Sequence, residues 1–215
     1  PHVFFIATLS SDSEQLATFS QQVYGFTHAD VPSGFTFPSW EAALRALGEL
    51  PMQPKPIIVL DEFTHLISGN KAIPSILQKV WDETLKNTQI MMVLCGSYIG
   101  MMETEVLGYQ APLYGRRTAS ILLRPMDLAS SALFFPGYSA EEKFITWAVV
   151  GGMPYYLRTF QDNQDVYTNI RQYILDAQSG TLFNEPRLLL MEELREPRNY
   201  FSILRSIAQG RTRLN

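Results

Sequence analysis

The run Pro56-Ile57-Ile58-Val59-Leu60-Asp61-Glu62-Phe63 sets the architecture of this chain. Four apolar residues in succession, three of them β-branched, read as a strand buried on both faces, since a strand with one wet face would alternate apolar with polar. Two carboxylates follow at its carboxyl end. Upstream, Val3 to Ala7 is a second apolar run, ended by Ser10 to Ser13; downstream, Gln89 to Cys95 is a third, running into Gly96-Ser97. Between these runs the period becomes helical. Ser11-x-x-Glu14 is a capping box that leads into Leu16, Phe19 and Val23, with Gly25 expected to close the helix. Ser39 caps a second helix whose Trp40, Ala43, Leu44, Leu47 and Leu50 share a face. Pro74 opens a third, to about Lys86, with Ile76, Leu77, Val80, Trp81 and Leu85 inward. A short helix up to Gly108, a loop around Pro112 to Arg117 and a last strand, Thr118 to Leu123, complete the pattern. Fully apolar strands alternating with helices predict an α/β fold whose parallel sheet is covered on both faces, with its ligand site at the carboxyl ends of the strands.

From Met126 onward the strand signals stop. Helices are expected at about 127–134, at 140–150 behind the capping box Ser139-x-x-Glu142, and at about 153–160, 164–178, 186–195 and 198–209. The predicted organisation is an α/β core over 1–125, a helical region over 126–197 and the start of a further element over 198–215.

The 215 residues are 46% hydrophobic and 18% charged, the composition of a folded globular chain. A net charge of −4 supplies no strong basic field for nucleic acid or an anionic membrane. Cys95 alone cannot form an internal disulfide, and three scattered histidines add no metal-ligand spacing, so a reducing, cytoplasmic setting is expected. No apolar stretch is long enough to span a membrane and no signal peptide is visible. Pro1 stands directly before an apolar run and the last residues stop in mid-pattern, so a segment of a longer protein is expected.

Five residues are candidates for chemistry. At the end of a buried strand, Asp61 can hold a magnesium ion through its water shell and Glu62 can polarise an attacking water; two acids can also simply end a strand. Ser97 ends the next strand, within reach of a γ-phosphate or its water if the strands are neighbours, and it can equally cap the following helix. Arg116 and Arg117 suit phosphate charge if their loop folds back to the site, and otherwise belong to a solvated loop. Gly151-Gly152 before Pro154 marks a sharp turn between helices, or a point where bare backbone approaches a nucleotide. His65 lacks partners at metal-binding spacing, Cys95 reads as inert packing, and Met91, Met92, Met101, Met102 and Met153 read as core filler.

The combination of Ile57 to Phe63, Leu94-Cys95-Gly96-Ser97, Pro112 to Thr118 and Gly151 to Leu157 resembles the archaeal-type ATPase-domain family, AAA-like P-loop NTPases of the STAND group. The resemblance implies a parallel-sheet ATPase core followed by a helical lid and a winged helix, whose start it places at Ile203 to Asn215. It implies ATP and Mg2+ as ligands, with Asp61 and Glu62 at the Walker B positions, Ser97 at the sensor-1 position and Arg116 as the arginine of the Gly-Arg motif. Beyond ATP, the partners it implies are a protein partner or further copies of the chain, and DNA through a downstream winged helix. The activity expected of the intact protein is magnesium-dependent ATP hydrolysis serving a molecular switch; the alternative is a degenerate, non-catalytic scaffold that kept the fold. One part of the family pattern is missing. No G-x-x-x-x-G-K-[ST] occurs in these residues, and Gly69-Asn70-Lys71-Ala72 lacks its spacing, its hydroxyl and the preceding strand. Several charge-assisted hydrogen bonds of ~1.5–3 kcal/mol each are therefore absent, and residues 1–215 alone are expected to hold ATP weakly.

Overall fold

In the computed structural model, residues 2–194 and 196–211 are described, the side chains at 192 and 193 excepted. The chain divides into two compact units, one ending at Ser120 and the other beginning at Ile121.

The first unit is built on three parallel strands, β1 (His2–Ile6), β2 (Ile57–Asp61) and β3 (Met91–Leu94), in the order β1-β2-β3. Register aligns His2 with Ile57 and Met91, and Phe5 with Leu60 and Leu94. Helix α1 (Asp12–Thr27) starts at the predicted capping box, with both Ser11 and Glu14 engaged, and runs through Gly25 to a cap at His28. Helices α2 (Trp40–Ala46), α3 (Phe63–Gly69) and α4 (Ile73–Glu83) complete the two crossovers. One core gathers all of them: Val3, Phe5, Ile58 and Leu60 from the sheet meet Phe19, Val23, Trp40, Leu44, Leu66, Leu77 and Val80. Phe5 contacts Phe19 edge-on at 5.2 Å between ring centroids.

The helices pack on the face of the sheet that carries Val3, Phe5, Ile58 and Leu60, against the expectation of two covered faces. On the other face Phe4 is 50% exposed, Ile6 54%, Ile57 41% and Met91 58%. The reason is topological. Both crossovers travel in the same direction across the sheet, and crossovers of one hand moving one way place their helices on one side.

After β3, α5 (Ile99–Met101) passes into a π-helical stretch, Met102–Leu107, and a loop carries Leu113 into the core. The expected strand over 118–123 does not form; its backbone joins no ladder among the described residues, and Ile121, Leu122 and Leu123 are 83%, 59% and 88% exposed. An apolar run becomes a strand only where a neighbouring edge takes its backbone hydrogen bonds.

The second unit is helical: α6 (Leu128–Ala132), α7 (Ala140–Val150), α8 (Pro154–Thr159), α9 (Val166–Asn169) with a π-helical continuation to Leu175, α10 (Glu185–Glu193) and α11 (Pro197–Ala208). Its core joins Phe135, Tyr138, Val150, Leu157, Phe160, Val166 and Leu182. Asn169 is wholly buried and ties the unit together, donating to Tyr138 Oη at 2.6 Å and the Gln161 carbonyl at 2.7 Å while accepting from the Gln161 amide at 2.9 Å. Of the tail expected to begin a further domain, residues 212–215 lie outside the described residues.

Candidate functional site

The β-branched run that makes β2 central also places Asp61 as its last residue, aligned with Ile6 of β1. Alternation puts the Asp61 side chain on the same face as Ile57 and Val59, the bare one. The backbone around it is pinned from both sides: the Ala7 amide donates to the Asp61 carbonyl at 2.9 Å, and the Cys95 amide to the Leu60 carbonyl at 2.9 Å.

Glu62 leaves the strand abruptly. Its φ of 49° is the only positive value at a non-glycine residue among those described, a left-handed turn by which the chain passes from strand into α3. Three bonds hold this turn: the Glu62 amide to Asp61 Oδ1 at 3.0 Å, the Phe63 amide to the Cys95 carbonyl at 2.8 Å, and the His65 amide to the Glu62 carbonyl at 2.8 Å. His65 Nδ1 donates to the Ala7 carbonyl at 3.3 Å, so this histidine braces β1.

Ser97 reaches Glu62. Its hydroxyl donates to Glu62 Oε2 at 2.9 Å and its amide approaches the same oxygen at 3.4 Å. The capping alternative is excluded, because α5 is capped at Tyr98 without any side-chain bond. Gly96 makes the approach possible: a Cβ there would lie 2.9 Å from Met102 Sδ and 3.2 Å from Thr64 Cγ2. Cys95 completes the cluster; burial pushes its thiol pKa up, and the charges of Asp61 and then Glu62 push it further. The thiol is thus kept protonated in a negative local field, which suits a cation and not a nucleophilic sulfur.

Arg116 finds its partners outside this cluster. Arg116 is locked onto Asp82 of α4, Nε donating to Oδ1 at 3.0 Å and Nη2 to Oδ2 at 2.6 Å, while Nη1 donates to the carbonyls of Pro112 and Tyr114. Since α4 runs back from the carboxyl end of β2 toward the start of β3, Asp82 in its last turn lies toward the opposite pole of the sheet from Asp61. Arg116 therefore fastens its loop to α4. Arg117 is exposed. The Arg116 guanidinium holds the Asp82 carboxyl below its ordinary pKa, so the contribution of the pair to stability is complete above the ordinary carboxylate range and is lost as pH falls through the lowered value. Asp82→Asn is expected to lower the melting temperature at pH 7, with the gap from the parent protein closing as pH falls through the lowered value; thermal melts of both proteins across pH check this.

The Gly-Gly turn is structural in a specific way. Gly151 caps α7 with φ 66° and ψ −157°, a backbone region essentially closed to other residues. Gly152 lies flat on the backbone of Met126, whose amide donates to the Gly152 carbonyl at 2.8 Å.

Among the described residues no three His, Cys, Asp or Glu side chains gather as a metal cage. Asp61 and Glu62 by themselves fit a magnesium ion that takes one or two carboxylates and completes its shell with water and phosphate oxygens. No helix among the described residues is long and apolar enough to cross a membrane.

A parallel sheet fed by helical crossovers, with an acidic pair at the carboxyl end of its middle strand, is an α/β core of the kind that P-loop NTPases have. The Walker-type ATPase of Pyrococcus abyssi has the same fold, with a TM-score of 0.60 and 22% identity over 92% of this chain and 61% of that one. Residues 2–160 match the ATPase domain found predominantly in Archaea, and the chain belongs to that family. It is also similar to two uncharacterized proteins of Methanocaldococcus jannaschii. One is 29% identical over 209 residues, covering 97% of this chain and 44% of that protein; the other is 44% identical over 43 residues, 20% of this chain and 42% of that protein. The chain thus spans less than half the length of the first relative, and the matched segment covers less than half of the second.

Proposed function

We propose that these residues form part of a magnesium-dependent ATP-hydrolysing switch. The observation that carries this reading is the acidic pair at the end of the middle strand, with Ser97, in the loop that follows β3, bonded to Glu62. Asp61 would hold Mg2+ through water, and the ion would supply charge neutralisation on the β- and γ-phosphates. Glu62 accepts a proton from the attacking water as the water oxygen bonds to the terminal phosphorus and ADP departs with the bridging oxygen. Arg116, bound to Asp82, has no part in this step within its own subunit.

The phosphate-binding loop has to come from outside residues 1–215, which contain no Walker A sequence. The bare sheet face supports an additional strand–loop–helix unit. A strand laid along the free edge of β3 and connected back to β1 would cross in the reverse direction, and a crossover of the same hand then drops its helix onto Phe4, Ile6, Ile57 and Met91. That loop would emerge at the carboxyl ends of the strands, beside Asp61.

The test is Mg-ATP binding and turnover by the protein produced from its complete coding sequence. Binding in the micromolar range with slow hydrolysis is expected. Failure to bind Mg-ATP would leave the non-catalytic scaffold as the function, a reading to which the engagement of Arg116 by Asp82 already gives some support.

A further inference from the structure

We infer that Ser97 serves hydrolysis as a positioning residue for Glu62, not by touching phosphate; this rests on the hydrolytic reading above. The Ser97 hydroxyl carries one proton, and that proton is on Glu62 Oε2, with the Ser97 amide directed at the same oxygen. Phosphate oxygens need donors, and Ser97 has none left to offer.

The consequence for Glu62 is a division of labour between its two oxygens. Oε2 is fixed from the loop after β3, while Oε1 has no protein partner among the described residues and can take a proton from water. The backbone beneath is fixed independently, through the bonds of Phe63 to Cys95 and of His65 to Glu62. Ser97 is therefore the element that selects the direction of the carboxylate, whereas the left-handed turn selects only its origin. A glutamate on such a turn has three side-chain torsions to settle, and a single hydrogen bond at its tip is what leaves Oε1 oriented before substrate arrives.

Two sets of measurements on the protein from the complete coding sequence test this. In steady-state kinetics, Ser97→Ala is expected to lower kcat about tenfold with KM for Mg-ATP within about twofold of the parent, and Ser97→Thr, which keeps the hydroxyl, to restore kcat. In NMR spectra of the nucleotide-free protein, Glu62→Gln is expected to move the Ser97 amide proton upfield, as a carboxylate acceptor is replaced by an amide. A Ser97→Ala variant with raised KM and unchanged kcat would mean that the hydroxyl binds phosphate, and would overturn the inference. So would an unmoved Ser97 amide in Glu62→Gln, or a Ser97→Thr protein as slow as Ser97→Ala. If Glu62→Gln itself hydrolyses ATP at the parent rate, the hydrolytic reading falls instead, while the amide resonance still reports on the contact.

Discussion

Replacing Gly152 by alanine is expected to destabilise the second unit strongly while leaving the first intact. A Cβ at this position would overlap the carbonyl oxygen of Met126 and lie 2.5 Å from its nitrogen and 2.7 Å from its carbonyl carbon, all backbone atoms. Met126 cannot step aside. Its amide is bonded to the Gly152 carbonyl at 2.8 Å, and its carbonyl accepts from Trp147 Nε1 at 3.2 Å. Relief therefore requires breaking the seam that joins the entry to α6 with the turn between α7 and α8, a cost of about 3 kcal/mol or more. Trp147 lies on the seam and Trp40 and Trp81 belong to the first unit, so a single-tryptophan protein retaining Trp147 should lose its native fluorescence at lower denaturant in Gly152→Ala. One retaining Trp40 should not. Gly100→Ala is the control, since a Cβ there meets nothing within 4 Å.

Glu62→Gln is the second large effect, and it is chemical. In the protein from the complete coding sequence, hydrolysis is expected to fall about 10²- to 10⁴-fold, the usual contribution of a positioned general base. The amide keeps the size and the acceptor oxygen that Ser97 engages, so the left-handed turn and the α3 that follows it survive. Mg-ATP binding should persist, because Asp61 and the phosphate-binding loop are untouched. Equilibrium binding measured beside turnover separates the outcomes: turnover at the parent rate removes Glu62 from the chemistry, and loss of binding would place it among the groups that hold the nucleotide.

How much of this was legible beforehand depended on the range of the interactions. Ile57 to Leu60 announced β2 because an unbroken apolar run, mostly β-branched, has few other uses, and Ser139 with Glu142 announced α7 because a capping box is complete within four residues. The proximity of Ser97 to the acidic pair followed from two adjacent parallel strands. Helix α3 gave no warning: it starts from Glu62 with no side-chain cap, immediately after a strand. Nor did the partner of Arg116, which lies 34 residues earlier on α4, a separation at which local pattern carries no information. The missing strand at 118–123 failed for a related reason, since its residues have the composition of a strand and lack the neighbour that would make them one.

The order β1-β2-β3 has a further meaning during synthesis. Each strand leaves the ribosome after the one it pairs with, so the sheet can grow at a single advancing edge, every addition needing only one crossover's worth of chain. The step that would break this sequence is the closing of the uncovered side, because a strand joining β3 from elsewhere in the polypeptide has to wait until Leu94 has been made. Until then the nascent chain displays Phe4, Ile6 and Ile57, and this interval is when chaperone capture and misassembly compete with completion.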